Sequence, residues 1–369
     1  MRGRYEKTQS TVRVSRVKKW ILVTLFLLII LVLCFVIAAI VYWNGMVGKM
    51  HYVEVADITY STSAAPPTEA STDTQATAVP TIETTQPHVA SSADYINFLI
   101  VGQSSRDGED ARLADTMILC TLNTYEKTLT LTSMLRDAFV KMPDYKGYEG
   151  GRIKLTTIYH LGSYYSKGDP AGSMELMNQT LYNNFGVEVD YNFEVDFEAF
   201  IWIVNAVGGI DVELTEAEAD YLNDDDVWVT YDVKPGISHL DGMAALSYAR
   251  MRKAEGDNGS DIIRTSRARK VIEILLEELK KEPISVLQNL ANEVLPKVTT
   301  SMNKLDITNM LLTVLPIFPD LKINIGDTCP AKYQGDMVDI YSNGELHSVL
   351  RFDVAETTKT MRAITEGEE

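Results

Sequence analysis

The sequence predicts an α/β protein: one globular head, with strands and helices alternating around a mostly covered sheet, behind a single transmembrane helix and a disordered stalk. Three observations predict it. Residues 20–43 read WILVTLFLLIILVLCFVIAAIVYW, 24 residues without a charge, and about 20 apolar helical residues cross the hydrocarbon layer. Residues 61–94 are built largely of Ser, Thr, Ala and Pro, with no Lys, Arg, Phe, Trp or Tyr. From Tyr95 onward, strand-like apolar runs alternate with segments of helical period.

Each element follows in chain order. Arg2, Arg4, Lys7, Arg13, Arg16, Lys18 and Lys19 precede the apolar run, against the single acid Glu6. That asymmetry places residues 1–19 in the cytoplasm and everything after Trp43 outside the cell. The run is too long for the h-region of a cleaved signal peptide, and no small-x-small site follows it cleanly. Residues 44–60 are read as a juxtamembrane segment with room for order, and residues 61–94 as a flexible stalk, since the composition of the latter buries too little surface to offset chain entropy. As a flexible chain the stalk would hold the head roughly 30 Å from the bilayer.

The head opens at YINFLIVG (95–102), a strand ending at glycine, followed by strands at 114–123 and 128–135. The first of these two is almost continuously apolar, as a central strand is. A helix over 171–186 closes at Gly186, and a strand over 191–197 precedes a helix that ends at Gly208-Gly209. After a strand at 210–214, Asp241 is placed to cap the helix DGMAALSYAR. A long amphipathic helix at about 262–281 carries Val271, Ile272, Leu275, Leu276 and Leu279 on one face. Helices at 284–295 and 304–315 and short strands finish the chain. The core is thus assigned to 95–281, the C-terminal part of the head to 282–364, and a tail to 365–369.

Charge narrows the function. Seven of 34 bases and one of 51 acids lie in residues 1–43, leaving 27 bases against 50 acids and a net −23 outside. Such a surface repels nucleic acid. Against it stands a local reversal of sign, since residues 248–270 hold Arg250, Arg252, Lys253, Arg264, Arg267, Arg269 and Lys270. Further arginines stand at strand ends: Arg106 and Arg112 after the first strand, Arg136 after the third. In an extended segment Arg250 and Arg252 would point to one side. Arg264 and Arg267 are neighbours on one helix face near its N-terminus, where the dipole also favours anions.

Ligands of open α/β sheets collect at the carboxyl ends of strands, and the guanidinium fork suits phosphate oxygens. Asp115 lies beside the same region and would hold a Mg²⁺ that neutralises phosphate charge. Together these point to a pyrophosphate site. Each residue also has a plainer alternative: Arg267, Arg269 and Lys270 as solvated helix positions, Arg136-Asp137 as a structural ion pair, Asp115 as a turn residue. No GxSxG elbow or phosphate-binding GxxxxGK[ST] loop occurs, and the five histidines show no ligand spacing. Cys120 reads as a small buried hydrophobe, with a pairing to Cys329 left open.

The segments NFLIVGQSSR (97–106), RLADTMILCTLN (112–123), LTSMLRDAFV (131–140), VDYNFEVDFEAFIWIVNAVGGIDVEL (189–214), GISHLDGMAALSYARMRK (236–253) and DIIRTSRARKVI (261–272) resemble the LytR-CpsA-Psr family of membrane-anchored cell-wall ligases of Gram-positive bacteria. The resemblance implies a three-layer α/β/α head with a central mixed sheet and a hydrophobic groove for a polyprenyl chain. It implies a phosphotransferase that moves a phosphorylated glycopolymer, of teichoic acid or capsular polysaccharide type, from a polyprenyl-pyrophosphate carrier to peptidoglycan at the outer membrane face. Mg²⁺ would be the cofactor, with pyrophosphatase release as a side activity. Arg136, Arg250, Arg252, Arg264 and Arg267 would grip the pyrophosphate, with Arg106 and Arg112 assisting. Asp115 would be the metal ligand, and Asp261 would orient the arginines or act as a base. Arg136, Asp261 and Arg264 are the residues expected to act in catalysis. Two positions depart from the family pattern: Ser104 stands where an Asp is expected, removing a metal ligand, and Ala268 replaces a Gln. The first departure keeps a second reading open, a catalytically weakened homologue that binds lipid-linked glycan as a scaffold or regulator.

Overall fold

Seven consecutive apolar or half-apolar residues, Thr116–Leu122, in one strand require cover on both faces, and the structure supplies it. The computed structural model describes residues 42–56, 94–103, 113–224, 231–251, 261–332, 338–342 and 345–367. The chain divides into two compact units, residues 1–49 and 50–369. Within the first, residues 42–47 are helical; the rest of the Trp20–Trp43 run lies outside the described residues. Among those described, no helix is long and apolar enough to cross a membrane.

The second unit is built on a seven-stranded mixed sheet. In chain order its strands are β1 (His51–Tyr52), β2 (Tyr95–Gln103), β3 (Ala114–Asn123), β4 (Thr128–Met134), β7 (Tyr191–Val195), β10 (Val298–Thr300) and β11 (Lys322–Cys329), arranged β1-β10-β7-β2-β3-β4-β11. Short hairpins join β5 (Phe139–Lys141) to β6 (Arg152–Lys154), β8 (Ile210–Leu214) to β9 (Gly236–Leu240), and β12 (Val338–Ser342) to β13 (Glu345–Val349). The helices are α1 (Leu155–Tyr165), α2 (Pro170–Phe185), α3 (Phe197–Ala206), α4 (Glu216–Asn223), α5 (Gly242–Arg250), α6 (Asp261–Lys281), α7 (Ile284–Val294), α8 (Lys304–Val314) and α9 (Val354–Thr365).

Alternation along β3 builds the layers. Met117 and Leu119 join a core with Ile158 and Tyr159 of α1, Leu176 and Leu181 of α2 and Met361 of α9. Ile118, Cys120 and Leu122 face the other side, against Ile272 and Leu276 of α6 and Met310 and Val314 of α8. Side chains of period two on a doubly covered sheet give this continuous apolar reading. A third core joins the β8–β9 hairpin to α4, α5 and α6 through Val212, Leu222, Tyr248 and Val271. Helix caps follow the sequence: Asp241 accepts from the Ala244 N–H, and Gly186 closes α2 with φ 69°, the left-handed region glycine tolerates.

Two expectations are corrected here. Residues 50–55 belong to the head: β1 pairs with β10, the Val53 N–H donates to the Thr300 carbonyl at 2.9 Å, and Val53 and Val55 pack on the main core. The Ser/Thr/Pro stretch 61–94, outside the described residues but for Asp94, thus stands in sequence between β1 and β2 of one sheet. Likewise the C-terminal part contributes β10 and β11 to the central sheet itself. Cys120 and Cys329 are both buried and free, with no disulfide between them; burial pushes the Cys120 thiol up to about 12.

Candidate functional site

The strand directions collect the chemistry at one end of the sheet. β2 runs antiparallel to β3 and parallel to β7, while β4 runs antiparallel to β3 and parallel to β11. The carboxyl ends of β2, β4, β7 and β11 therefore meet the amino end of β3. Asp115 is the second residue of β3, Arg136 lies two residues beyond β4, and Phe197 two residues beyond β7.

Arg136 Nη1 donates to Asp115 Oδ1 at 3.1 Å, and its Nε lies 3.5 Å from Asp137 Oδ2. Asp137 also accepts from Lys154 Nζ at 2.7 Å. From the opposite side, Arg264 Nη2 donates to the Asp115 backbone carbonyl at 2.8 Å. Arg136 and Asp115 keep about a fifth of their side-chain surface open to solvent, whereas Arg264 is buried. Arg250 is exposed and stacks over the Phe197 ring, 4.4 Å from its centroid. Asp115, Arg136 and Arg264 are thus brought together, with Arg250 over the start of α3. Ser104, Arg106, Arg112 and Arg252 lie outside the described residues; Asp261 opens α6, and its side chain lies outside them too.

Two sequence readings change. Arg250 ends helix α5 and does not lie in an extended segment, because the cap at Asp241 starts a helix that runs unbroken to it. Arg264 and Arg267 do share a helix face, but that face straddles two neighbours. Arg267 turns to α4, where Nε donates to Glu218 Oε1 at 2.7 Å and Nη1 to the Met251 carbonyl at 3.3 Å. Its fork serves the protein here, turned to α4 and not to Asp115 as Arg264 is. Arg269, expected in solvent, is buried and donates to the Asp327 carbonyl of β11 at 3.0 Å; burial lowers its guanidinium from the ordinary value.

Electrostatics follow. Burial alone would raise the Glu218 carboxyl, but hydrogen bonds from the Thr215 backbone N–H and from Arg267 outweigh it and hold it below its ordinary value. Tyr248, packed beside this pair, is pushed up to about 12 by burial and by the Glu218 charge. A cleft of about 360 Å³ lies here, lined by Glu218, Tyr248, Ser266, Arg267 and Lys270 among others; Asp115, Arg136 and Arg264 do not line it. Lys154, Phe197 and Glu218 were not singled out from sequence. For Glu218 a signal existed: Thr215-x-x-Glu218 is a capping box, formed as such. Nothing in that pattern says that the same carboxylate takes an arginine 49 residues away.

Residues 56–344, more than half of the chain, match the model of the LytR_cpsA_psr family. The chain belongs to this family. Among curated relatives, a polyisoprenyl-teichoic acid–peptidoglycan teichoic acid transferase TagU of Oceanobacillus iheyensis is 31% identical over 185 residues, 50% of this chain and 52% of the relative. The chain therefore spans about half the length of the curated relatives it matches. Two solved LytR-CpsA-Psr structures share the fold. TagT bound to LIIa-WTA gives a TM-score of 0.56 at 22% identity, covering 77% of this chain and 94% of that one. A LytR-CPS2A-psr family protein (TagT) with bound octaprenyl pyrophosphate lipid gives 0.52 at 21%, with the same coverage.

Proposed function

We propose that this LytR-CpsA-Psr protein is a membrane-anchored phosphotransferase that moves a phosphorylated glycopolymer from a polyprenyl-pyrophosphate carrier to peptidoglycan at the outer membrane face. The observation that carries the reading is the convergence of Arg136 and Arg264 on Asp115 at the carboxyl ends of the strands. The names of the relatives support it, teichoic acid transfer in one and a bound polyprenyl pyrophosphate in another.

In this reading Arg136, Arg250 and Arg264 bind the pyrophosphate, joined by Arg252, Arg106 and Arg112. The half-buried apolar side chains Ile272 and Leu276 of α6, which pack on the sheet, border the path of the polyprenyl chain in this reading. A hydroxyl of the acceptor attacks the phosphorus nearest the glycopolymer and loses its proton to a base, for which Asp261 is the candidate. The bond from that phosphorus to the bridging oxygen breaks, and polyprenyl phosphate leaves with the electron pair. Fixed guanidinium charges aimed at the phosphate oxygens stabilise the charge that develops there.

Asp115 fits a Mg²⁺ ligand only in company, since its carboxylate already takes Arg136. Among the described residues no three His, Cys, Asp or Glu side chains are grouped to hold a metal. Mg²⁺ commonly binds one or two carboxylates plus substrate phosphate oxygens and water, and there it withdraws charge from the pyrophosphate.

The test is release of phosphate from geranyl pyrophosphate by the purified protein, with and without Mg²⁺. Turnover that disappears in Arg136→Ala supports the enzyme. Tight binding without turnover supports the scaffold reading, which Ser104 in place of an acid favours; a Ser104→Asp variant that gains activity would then locate the lost step.

A further inference from the structure

We propose that α8 is an interfacial helix whose exposed leucines rest in the outer surface of the bilayer beside the proposed anchor. α8 contains no buried residue. One side, Ile307, Met310 and Val314, leans on the apolar clusters of the head. Another side exposes Leu305 by 66%, Leu311 by 40%, Leu312 by 68% and Leu315, which caps the helix, by 52%. At 100° per residue these four leucines fall within an arc of about 120°, shared with Thr308 and with Lys304 at the start of the helix and set apart from the polar sector of Asp306, Asn309 and Thr313. An apolar stripe beside a polar sector is the pattern of a helix lying in a membrane interface, and a patch of this kind on a soluble surface marks a contact.

The occupant follows from where the chain enters the head. Trp43, the end of the 24-residue apolar run, is eight residues before His51 of β1. Fully extended, that interval spans about 28 Å, and the helical turn at 42–47 shortens it. β1 pairs with β10, α8 begins four residues after β10 ends, and Lys304 Nζ lies 6.0 Å from the centroid of Tyr52 in β1. The leucine stripe therefore starts at the point where the tether joins the sheet. An apolar surface on so short a leash beside a bilayer has that bilayer as its medium. The outer part carries a net −23, so the contact is apolar and not an attraction to anionic headgroups.

The inference rests on the anchoring of residues 20–43 and is tested on the full chain reconstituted in phosphatidylethanolamine–phosphatidylglycerol vesicles that carry a nitroxide lipid. Cys34→Ser removes the thiol of the apolar run, and Cys120 and Cys329 are buried, so a fluorophore at Leu312→Cys or Thr313→Cys reports one position. Strong quenching at 312, weak quenching at 313 and persistence of both in high salt are expected, at the depth of about 5–10 Å typical of interfacial helices. Leu305→Ser with Leu315→Ser should reduce quenching at 312 while the protein still floats with the vesicles. Flotation with equally weak quenching at both positions overturns the inference and leaves the anchor standing. Energy transfer between copies labelled at 312, without nitroxide quenching, overturns it in favour of self-association. Failure to float overturns anchor and inference together, whereas loss of pyrophosphate turnover bears only on the proposed function.

Discussion

Arg264 and Arg267 show how little a residue's type says about its task. Both are buried arginines one turn apart on α6. Arg264 reaches Asp115 at the end of the sheet, and Arg267 is neutralised by Glu218. Replacing Arg264 by Lys keeps the charge and loses the fork. Affinity for geranyl pyrophosphate, measured calorimetrically, should fall by about 1.5–3 kcal/mol, the worth of a hydrogen bond to a charged group. Glu218→Gln acts on stability instead, because it leaves the Arg267 charge buried without its partner. The expected loss is about 3–5 kcal/mol in thermal or denaturant unfolding. Its pH signature has a definite sign. The folded Glu218 carboxyl lies below its ordinary value of 4.5, so its contribution is complete above 4.5 and is lost as pH falls through the folded value. Below pH 4.5 wild type should lose stability faster than Glu218→Gln; parallel profiles would refute the coupling. Composition and spacing found the cationic cluster and its sheet-end location. They could not divide ligands from struts, since that division depends on which element each guanidinium meets, and α4 and β11 are distant in sequence.

At the scale of elements, α6 is the piece that ties the site to the sheet. Arg264 bonds to β3, Arg269 to β11, Lys270 to the Glu213 carbonyl of β8, and Lys280 to the Leu321 carbonyl before β11. If Arg269 is a strut, Arg269→Met should lower the unfolding midpoint, with little change in pyrophosphate affinity. A matched Arg264→Met should cost affinity. Equal loss of affinity in both would add Arg269 to the binding set. Elements with a strong period were legible: β3, β8 and α6 fall where the apolar pattern puts them. α1 was not, because LTTIYHLGSYY is rich in β-branched and aromatic residues that lower helix preference. Tertiary packing overrides it: Leu155, Ile158 and Tyr159 are fully buried, and Gly162 passes so close to α2 that a Cβ there would lie 2.4 Å from the Gly172 carbonyl oxygen. β11 was also obscure, since as an edge strand it is mostly exposed and is interrupted by a bulge between Ile325 and Thr328.

At the scale of the whole molecule, the position of β1 decides where the head begins. Composition alone sets the boundary at Tyr95, because the Ser/Thr/Pro stretch before it buries nothing. Two residues of pairing, far back in the chain, are too short for any periodicity to reveal. Met50 is buried on Ala199, Val294 and Val298, Tyr52 packs on the same cluster, and Val53 and Val55 lean on the main core. Burial of one such side chain contributes about 1.5–3 kcal/mol when complete and less when partial. A chain starting at Asp94 should therefore be less stable than one starting at Met50 by roughly 2–5 kcal/mol, a drop of about 3–8 °C in Tm for a protein of this size. Side-by-side thermal unfolding of the two chains measures it. The stretch between them adds no such packing if it only links β1 to β2, so deleting residues 65–90 from the longer chain should leave its Tm within about 2 °C, since loop length changes stability only slowly. Equal midpoints for the Met50 and Asp94 chains would show that β1 does not hold the sheet edge and would leave the stretch as a spacer. A lower midpoint for Asp94 alone would show that β1 holds the edge of the sheet through its pairing with β10 and the burial of Met50.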